Sequence, residues 1–210
     1  MNCTLCSSKT VPFYYYEKKD RHYHRCQTCK AVLMDIKDYP TPEEEVHRYE
    51  SHDNDVHDPR YQEFVSPLVK KITDRFSMYD MGLDFGSGTG PVITKMLSDQ
   101  NYNVNIFDPF FDNHPEVLEQ KYDYIVSCEV IEHFHKPYQE FQQLKNMLKT
   151  DGALFLKTDL YTEDLDFHAW YYKSDETHVF FYHPSTFSWI KNEFNFAALE
   201  IDGRHITLSN

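Results

Sequence analysis

Leu83-Asp84-Phe85-Gly86-Ser87-Gly88-Thr89-Gly90 is the stretch whose reading decides the fold. Met81–Phe85 is a short apolar run, and it stops at three glycines spaced two apart. Val92–Leu97 then carries its apolar residues at helical spacing, so the segment reads as strand, glycine turn, helix. Glycines let a backbone pass close to a ligand with no Cβ in the way. A lone Gly-x-Gly-x-Gly is a weak sign, but here it has context. Tyr102–Phe107 reads as the next strand and ends at Asp108, 18 residues beyond Gly90. An acid in that position can accept hydrogen bonds from both hydroxyls of a ribose. Dinucleotide turns use Gly-x-Gly-x-x-Gly and leave the helix N-terminus to a pyrophosphate. Here Gly90 is followed by Pro91, which has no N–H. The carboxylate of Asp84 just before the turn suits a cation better than a pyrophosphate.

Working outward, strand and helix signals continue to alternate. Tyr122–Ser127 is an apolar run and Tyr138–Leu148 an amphipathic helix. Ala153–Lys157 reads as a strand after an Asp151-Gly152 turn, and Pro184–Asn192 as a helix. Phe194–Ile201 and Arg204–Leu208 flank Asp202-Gly203, the signature of an antiparallel hairpin. The fold class is therefore α/β: a Rossmann-like, mostly parallel sheet with a C-terminal antiparallel hairpin. The 210 residues suffice for one medium domain plus an appendage. Hydrophobic residues at 40% and charged residues at 26% place the chain among ordinary globular proteins, and 16% aromatics argue against disorder. No apolar run reaches the length of a membrane helix. The start, Met1-Asn2-Cys3-Thr4, lacks the apolar core of a signal peptide, so a reducing cytoplasm is the expected compartment.

The appendage lies at the N-terminus. Cys3-x-x-Cys6 and Cys26-x-x-Cys29 are separated by 19 residues, inside the spacing range of a four-cysteine zinc site. Each Cys-x-x-Cys turn aims two thiolates at one point, and two turns close a tetrahedron. Phe13–Tyr16 and Arg21–Arg25 read as two strands joined at Glu17–Asp20, which makes residues 1–38 a small zinc ribbon. A disulfide pair is disfavoured by the compartment, and a redox motif needs one pair only. With four cysteine ligands there is no open position, so the metal is expected to be structural. His22 or His24 is a possible replacement ligand, although exposed ribbon histidines are commoner. Residues 39–77 form a helical linker. Thr41-Pro42-Glu43-Glu44-Glu45 is a helix start, a polar loop runs over 51–59, and Arg60–Phe76 is amphipathic. Residues 78–210 are the main domain.

The motifs Leu83–Gly90, Asp108, Tyr122–His133, Leu148–Leu156 and His178 occur in an order that resembles class I S-adenosylmethionine-dependent methyltransferases. The resemblance implies that Asp84, Gly86, Ser87, Gly88 and Gly90 cradle the methionine part of S-adenosyl-L-methionine and that Asp108 holds its ribose. It also implies that Ser127, Cys128 and Glu129 lie along the cofactor and that the last hairpin is the family's reversed strand. One departure stands out: only 13 residues separate Asp108 from Tyr122. The family normally places a helix, a strand and an adenine-contacting acid there. Asp112 is a candidate for the acid, or the Asp108-Pro109-Phe110-Phe111 turn packs the adenine itself.

Cys128-Glu129-Val-Ile-Glu132-His133 follows the strand where the family has its substrate mouth. Methyl transfer to a hydroxyl or carbon acid requires removal of a proton, and histidine titrates near neutral pH. His133 is the first candidate base, His178 the second, and Glu132 accompanies them; a purely loop-capping role for His133 is the alternative. Glu129, Glu132, His133 and His178 also resemble the magnesium-binding set of quinol O-methyltransferases and small-RNA 2′-O-methyltransferases. That suggests a possible second divalent metal, against the simpler reading that Glu129 faces the cofactor and Glu132 caps a helix. Cys128 is expected to be a small buried thiol, not a nucleophile. Asp159–Thr177, with Tyr161, Phe167, Trp170, Tyr171 and Tyr172, reads either as a lid over an acceptor pocket or as packing over the sheet end.

The leading expectation is methyl transfer to a small-molecule acceptor by a monomer or homodimer. The alternative is an RNA methyltransferase whose ribbon binds nucleic acid. Residues 1–40 hold seven basic and four acidic side chains, whereas 78–210 hold nine and 21. A formal charge of −13 overall makes a nucleic-acid partner unfavourable.

Overall fold

The computed structural model describes residues 1–51 and 54–210. Residues 52 and 53 of the expected 51–59 loop lie outside them. The N-terminal part has strands β1 (Thr10–Tyr16), β2 (Arg21–Cys26) and β3 (Val32–Met34), then helices α1 (Pro42–Glu50) and α2 (Pro59–Thr73). The main domain runs β4 (Met81–Phe85), α3 (Val92–Ser98), β5 (Asn103–Phe107), β6 (Tyr122–Cys128), α4 (Pro137–Met147) and β7 (Leu148–Lys157). It ends with β8 (Phe180–Phe181), α5 (Pro184–Glu193), β9 (Ala198–Asp202) and β10 (His205–Ser209).

The large sheet has the order β5-β4-β6-β7-β10-β9. β5, β4, β6 and β7 are parallel, and β10 is antiparallel to both β7 and β9. The hairpin expected at Asp202-Gly203 is thus the reversed edge of the sheet. Strand order reverses at β4, so the carboxyl ends of β4, β5 and β6 open the crevice where such sheets bind ligands. The short link from Asp108 to Tyr122 holds only a turn of 3-10 helix at Pro115–Glu119, which leaves β5 as the outer strand.

Local chemistry explains the helices that frame this crevice. Thr41 and Glu44 form a reciprocal capping box at the start of α1. Asp58 caps α2, with Pro59 in its first turn, and Val65, Leu68, Val69 and Ile72 form its buried stripe. That stripe packs with Val92, Ile93 and Leu97 of α3 over Tyr124, Val126 and Phe155. The other face of the sheet is covered by α4 and α5. One expectation is corrected: Asp151-Gly152 is not a turn. β7 starts at Leu148, and the register against β6 jumps from Tyr122↔Leu148 to Tyr124↔Ala153, so the Asp-Gly pair lies in a bulge of one continuous strand.

The N-terminal strands are not a separate bead. The second sheet has the order β1-β2-β3-β8, so its fourth strand comes from the main domain. Cys3, Leu5, Cys26, Cys29 and Ala31–Met34 are buried in one continuous core with Phe141, Tyr182 and Phe187.

Candidate active site

One cavity of 1190 Å³ lies over the carboxyl ends of β4, β5 and β6. It exceeds the roughly 300–1,000 Å³ of a typical single-ligand pocket, so it has room for a nucleoside and a second molecule. Gly86 and Gly88 form one end in the left-handed region, at φ 79° and 64°, where side chains are strained. A Cβ on Gly86 would also lie 2.5 Å from a Val130 methyl group. The Gly86 N–H donates to the Phe107 carbonyl at 2.8 Å, and the Gly88 N–H donates to Asp108 Oδ2 at 2.9 Å. Asp108 Oδ1 accepts from the N–H groups of Phe110 (2.9 Å) and Phe111 (3.1 Å). The carboxylate is therefore fixed at the cavity edge, and Oδ2, which accepts a single protein N–H, keeps a lone pair for a ligand hydroxyl. Ser87 Oγ is buried with no protein partner. These are fitting features for a ribose-bearing ligand laid along the turn.

Gly86, Ser87, Gly88, Asp108, Pro109, Cys128, Glu129, His133 and His178 all line the cavity. Asp84, Gly90, Ser127 and Glu132 do not. Asp84 is buried and accepts from Thr94 Oγ1 at 2.8 Å; burial raises its carboxyl to about 6, partly offset by Thr94. It holds the turn against α3 instead of facing a cation. Gly90 is a packing glycine, because a Cβ there would lie 1.7 Å from the Asn54 carbonyl oxygen. Ser127 is wholly buried within β6. Cys128 is half-buried at the end of β6, and burial of its thiol pushes it well above its ordinary value.

Glu129 adopts φ 54°, strained for a non-glycine residue. Its carboxylate accepts from Arg204 Nη2 at 2.9 Å on both oxygens, and Arg204 Nε reaches Asp159 at 2.6 Å. Glu132 is completely buried. Thr158 Oγ1 donates to it at 3.0 Å, and the Tyr172 hydroxyl donates to both Glu132 and Glu129. Burial, and then the neighbouring Glu129, raise the Glu132 carboxyl to about 8. The four-residue metal set is not assembled. Glu132, His133 and His178 converge within 4.8 Å, but Glu129 is committed to Arg204.

The two imidazoles form the other end of the cavity, with ring centroids 4.8 Å apart. His133 Nδ1 bonds the Thr177 carbonyl at 2.9 Å, which puts its proton on Nδ1 and leaves Nε2 as an acceptor. Burial, then His178, push His133 down to about 3, so it stays neutral. His178 Nδ1 bonds the Tyr172 carbonyl at 2.8 Å, with Nε2 4.0 Å from Glu132. Asp175 stands beside it. Burial alone would raise Asp175, but His178, Arg48 and Thr177 outweigh that and hold it well below the usual range.

Sequence reasoning missed the wall supplied by α1. Arg48 grips Asp175 at 2.6 and 2.9 Å. Tyr49 packs edge-on against His133 (centroids 5.2 Å) and tilts against Phe110 (5.7 Å). Arg204, from the turn of the last hairpin, was also missed; nothing in its neighbourhood marks it as a cavity residue. Of the expected aromatic lid, Tyr161, Phe167 and Trp170 are buried against β1, β2 and β8, so packing is the correct reading for them, whereas Tyr172, also buried, presents an edge to the cavity. Tyr171 remains exposed at the rim.

The four ribbon cysteines place all their sulfurs within 4.8 Å of one another, with Cys3–Cys29 at 3.7 Å and Cys6–Cys26 at 3.3 Å. A tetrahedron with Zn–S bonds of about 2.3 Å has edges of about 3.8 Å, and a disulfide needs about 2.05 Å. The residue after each pair, Ser7 and Lys30, is left-handed (φ 59° and 67°), so the two knuckles are equivalent. His22 and His24 bond Asp38 and Asp35 and stay out of the cluster.

A doubly wound sheet with a glycine turn, an acid at the end of the next strand and two imidazoles across the cavity is the frame in which the likenesses to known proteins fall. The chain matches the methyltransferase-domain family over residues 56–201 and belongs to it. It is 39% identical over 57 residues to the ubiquinone biosynthesis O-methyltransferase of Glaesserella parasuis, covering 27% of this chain and 24% of that one. It thus spans about a quarter of that curated relative. Among solved structures, a SAM-dependent methyltransferase from Archaeoglobus fulgidus superposes with TM-score 0.54 at 16% identity, over 71% of this chain and 94% of that one. An O-methyltransferase family protein from Burkholderia thailandensis gives 0.52 at 14% identity, over 79% and 61%. These likenesses establish the fold. Among the described residues no helix is long and apolar enough to cross a membrane.

Proposed function

We propose that the protein transfers a methyl group from S-adenosyl-L-methionine to a small molecule bearing an ionisable hydroxyl. The observation that carries this is the two-ended cavity: a glycine turn with Asp108 at one end, His133 and His178 at the other. The cofactor supplies a sulfonium-bound methyl group already activated for in-line displacement. Asp108 and the 86–88 turn orient the nucleoside, and the Phe110–Phe111 turn stands beside it. His133, held neutral, accepts a hydrogen bond from a second hydroxyl of the acceptor and so orients the ring, leaving the reacting hydroxyl to face His178. His178 takes the proton as the oxygen–methyl bond forms. Its imidazolium is balanced by Asp175, while the Tyr172 carbonyl fixes its ring. This revises the order of bases, because a nitrogen pushed to about 3 is a poor proton acceptor. The O-methyltransferase names of the relatives support an oxygen acceptor, and the aromatic wall of Tyr49, Phe134 and Tyr172 suits a catechol or quinol ring. Six carboxylates against four Lys and Arg line the cavity, which disfavours an RNA phosphate backbone.

We further propose that Cys3, Cys6, Cys26 and Cys29 hold one structural zinc ion. Calorimetry with S-adenosylmethionine, then labelled methyl transfer to a catechol and quinol panel, tests the activity. Saturable binding with a methylated product is expected, and no binding to zinc-replete protein refutes it.

A further inference from the structure

The ribbon is tied to the segment that carries His178 at four places. The Tyr23 hydroxyl donates to the Lys173 carbonyl at 3.4 Å, and Arg21 pairs with Glu176 at 3.1 Å. The Met34 N–H donates to the Val179 carbonyl at 2.9 Å, beside the register pairs Val32↔Phe181 and Leu33↔Phe180. Thr186 Oγ1 donates to the Cys29 carbonyl at 2.8 Å. Val179 in turn donates its N–H to the Glu132 carbonyl at 3.0 Å, so residues 178–181 are clamped between the ribbon and the catalytic loop.

β8 has two residues, far too few to hold a strand geometry alone. Its position comes from β3, and β3 leaves the second cysteine knuckle directly: the Cys26 N–H closes onto the Ala31 carbonyl at 2.8 Å, one residue before β3 begins. Ala31–Met34 and Val179–Tyr182 are all fully buried, so this is a solid contact and not a surface brush. A nucleic-acid arm would present its knuckles to solvent; here three of the four cysteines are buried in the shared core.

We propose that the metal-bound Cys26–Cys29 knuckle positions His178 along two joined routes, β3 to β8 and the Cys29–Thr186 tie to the start of α5, so that the ribbon is part of the acceptor half of the active site. Met34, Cys29 and Thr186 are positioning residues in this scheme, and the glycine turn with Asp108 lies outside it. The inference rests on the zinc and methyl-transfer readings above.

The test strips zinc from the wild-type protein under reducing conditions and restores it, following zinc content, S-adenosylmethionine affinity and the 15N imidazole resonances of His178, assigned with His178→Gln. Zinc loss is expected to shift or broaden the His178 signals, and add-back to restore them. Cofactor affinity should move less than about twofold, because its cradle is built from other elements. Thr186→Val cuts the tie to Cys29, together with the His183 N–H cap at the start of α5, and leaves every cysteine in place. It should keep one equivalent of zinc and cofactor affinity, displace the His178 signals and lower kcat on a catechol acceptor by up to about 100-fold, with KM for the cofactor unchanged. His178 signals at their zinc-bound positions in stripped, folded protein overturn the proposal. If stripping unfolds the chain, Thr186→Val decides, and unchanged His178 signals there overturn it equally. Failure of the zinc-replete wild type to bind cofactor instead removes the methyl-transfer reading and leaves the resonances to judge the positioning.

Discussion

Replacing Glu132 by Gln should make the protein more stable than wild type above pH 8 and no more stable at pH 6.5. The Glu132 carboxyl is wholly buried and raised from 4.5 to about 8, first by burial and then by Glu129. A raised acid binds its proton more tightly in the folded chain. Its contribution is therefore complete below the unfolded value and is lost as pH climbs to the folded one. At pH 6.5 the folded carboxyl is protonated and the unfolded one is not. By pH 9 both are ionised, and the folded state has lost about 2 kcal/mol. For a chain of this size that is a fall in Tm of about 4–8 °C. The neutral amide of Gln can still accept from Tyr172 or Thr158, and it has no proton to lose, so its curve falls less steeply than that of the wild type over this window. His133 does not interfere. Burial depresses it to about 3, so its contribution is complete above its ordinary 6.5 and fades only as pH falls below that. Calorimetric melts of both proteins from pH 6.5 to 9 provide the measurement. Parallel curves would mean that Glu132 is ionised in the folded chain at neutral pH, and the account of its burial would be wrong.

Asp108→Ala removes the acceptor of three backbone N–H groups as well as the ribose contact, and calorimetry should show cofactor binding weakened by about 1–3 kcal/mol. Gly86→Ala forces a side chain into φ 79° against Val130 and should cost about 1–2 kcal/mol of stability in urea titrations. Tyr49→Ala should raise the acceptor KM more than it weakens cofactor binding, since Tyr49 packs edge-on against His133 and reaches the nucleoside side only through Phe110. Metal analysis of freshly reduced protein should give one equivalent of zinc, and less than about half an equivalent defeats the closed four-ligand site.

The parts of the fold that were legible in the sequence are those set by local chemistry. Glycine turns, caps, Pro at helix starts and Cys-x-x-Cys spacing act within a few residues, so Gly86–Asp108, Thr41–Glu44 and the four cysteines fell where their spacing put them. The misses have a common cause. Asp151-Gly152 favours a turn locally, but tertiary pairing of Leu148–Lys157 with β6 overrides it. Asp84 and Glu132 are acids in the right motif. Which acids face a ligand depends on α3 and on Tyr172, which the motif does not contain. Arg48 and Arg204 reach the site from 127 and 75 residues away from their partners, a distance no pattern reading bridges.

The short Asp108–Tyr122 link and the N-terminal appendage have a joint physical sense. With no further strand beyond β5, the β5 side of the crevice lacks the wall that a longer sheet would supply. α1 stands where that opening meets the acceptor end, with Tyr49 touching Phe110 on one side and His133 on the other. α1 itself buries only Glu45 and is a nine-residue helix, too short to persist on its own. It must be held from outside, and its outward ties are Arg48 to Asp175 and His135 to Glu45. Its N-terminal end follows directly from the ribbon. A wall built this way is held by the main domain's Asp175 and His135 and is fed from the ribbon end, so a chain that shortens its sheet at β5 gains from an N-terminal module locked into the same core.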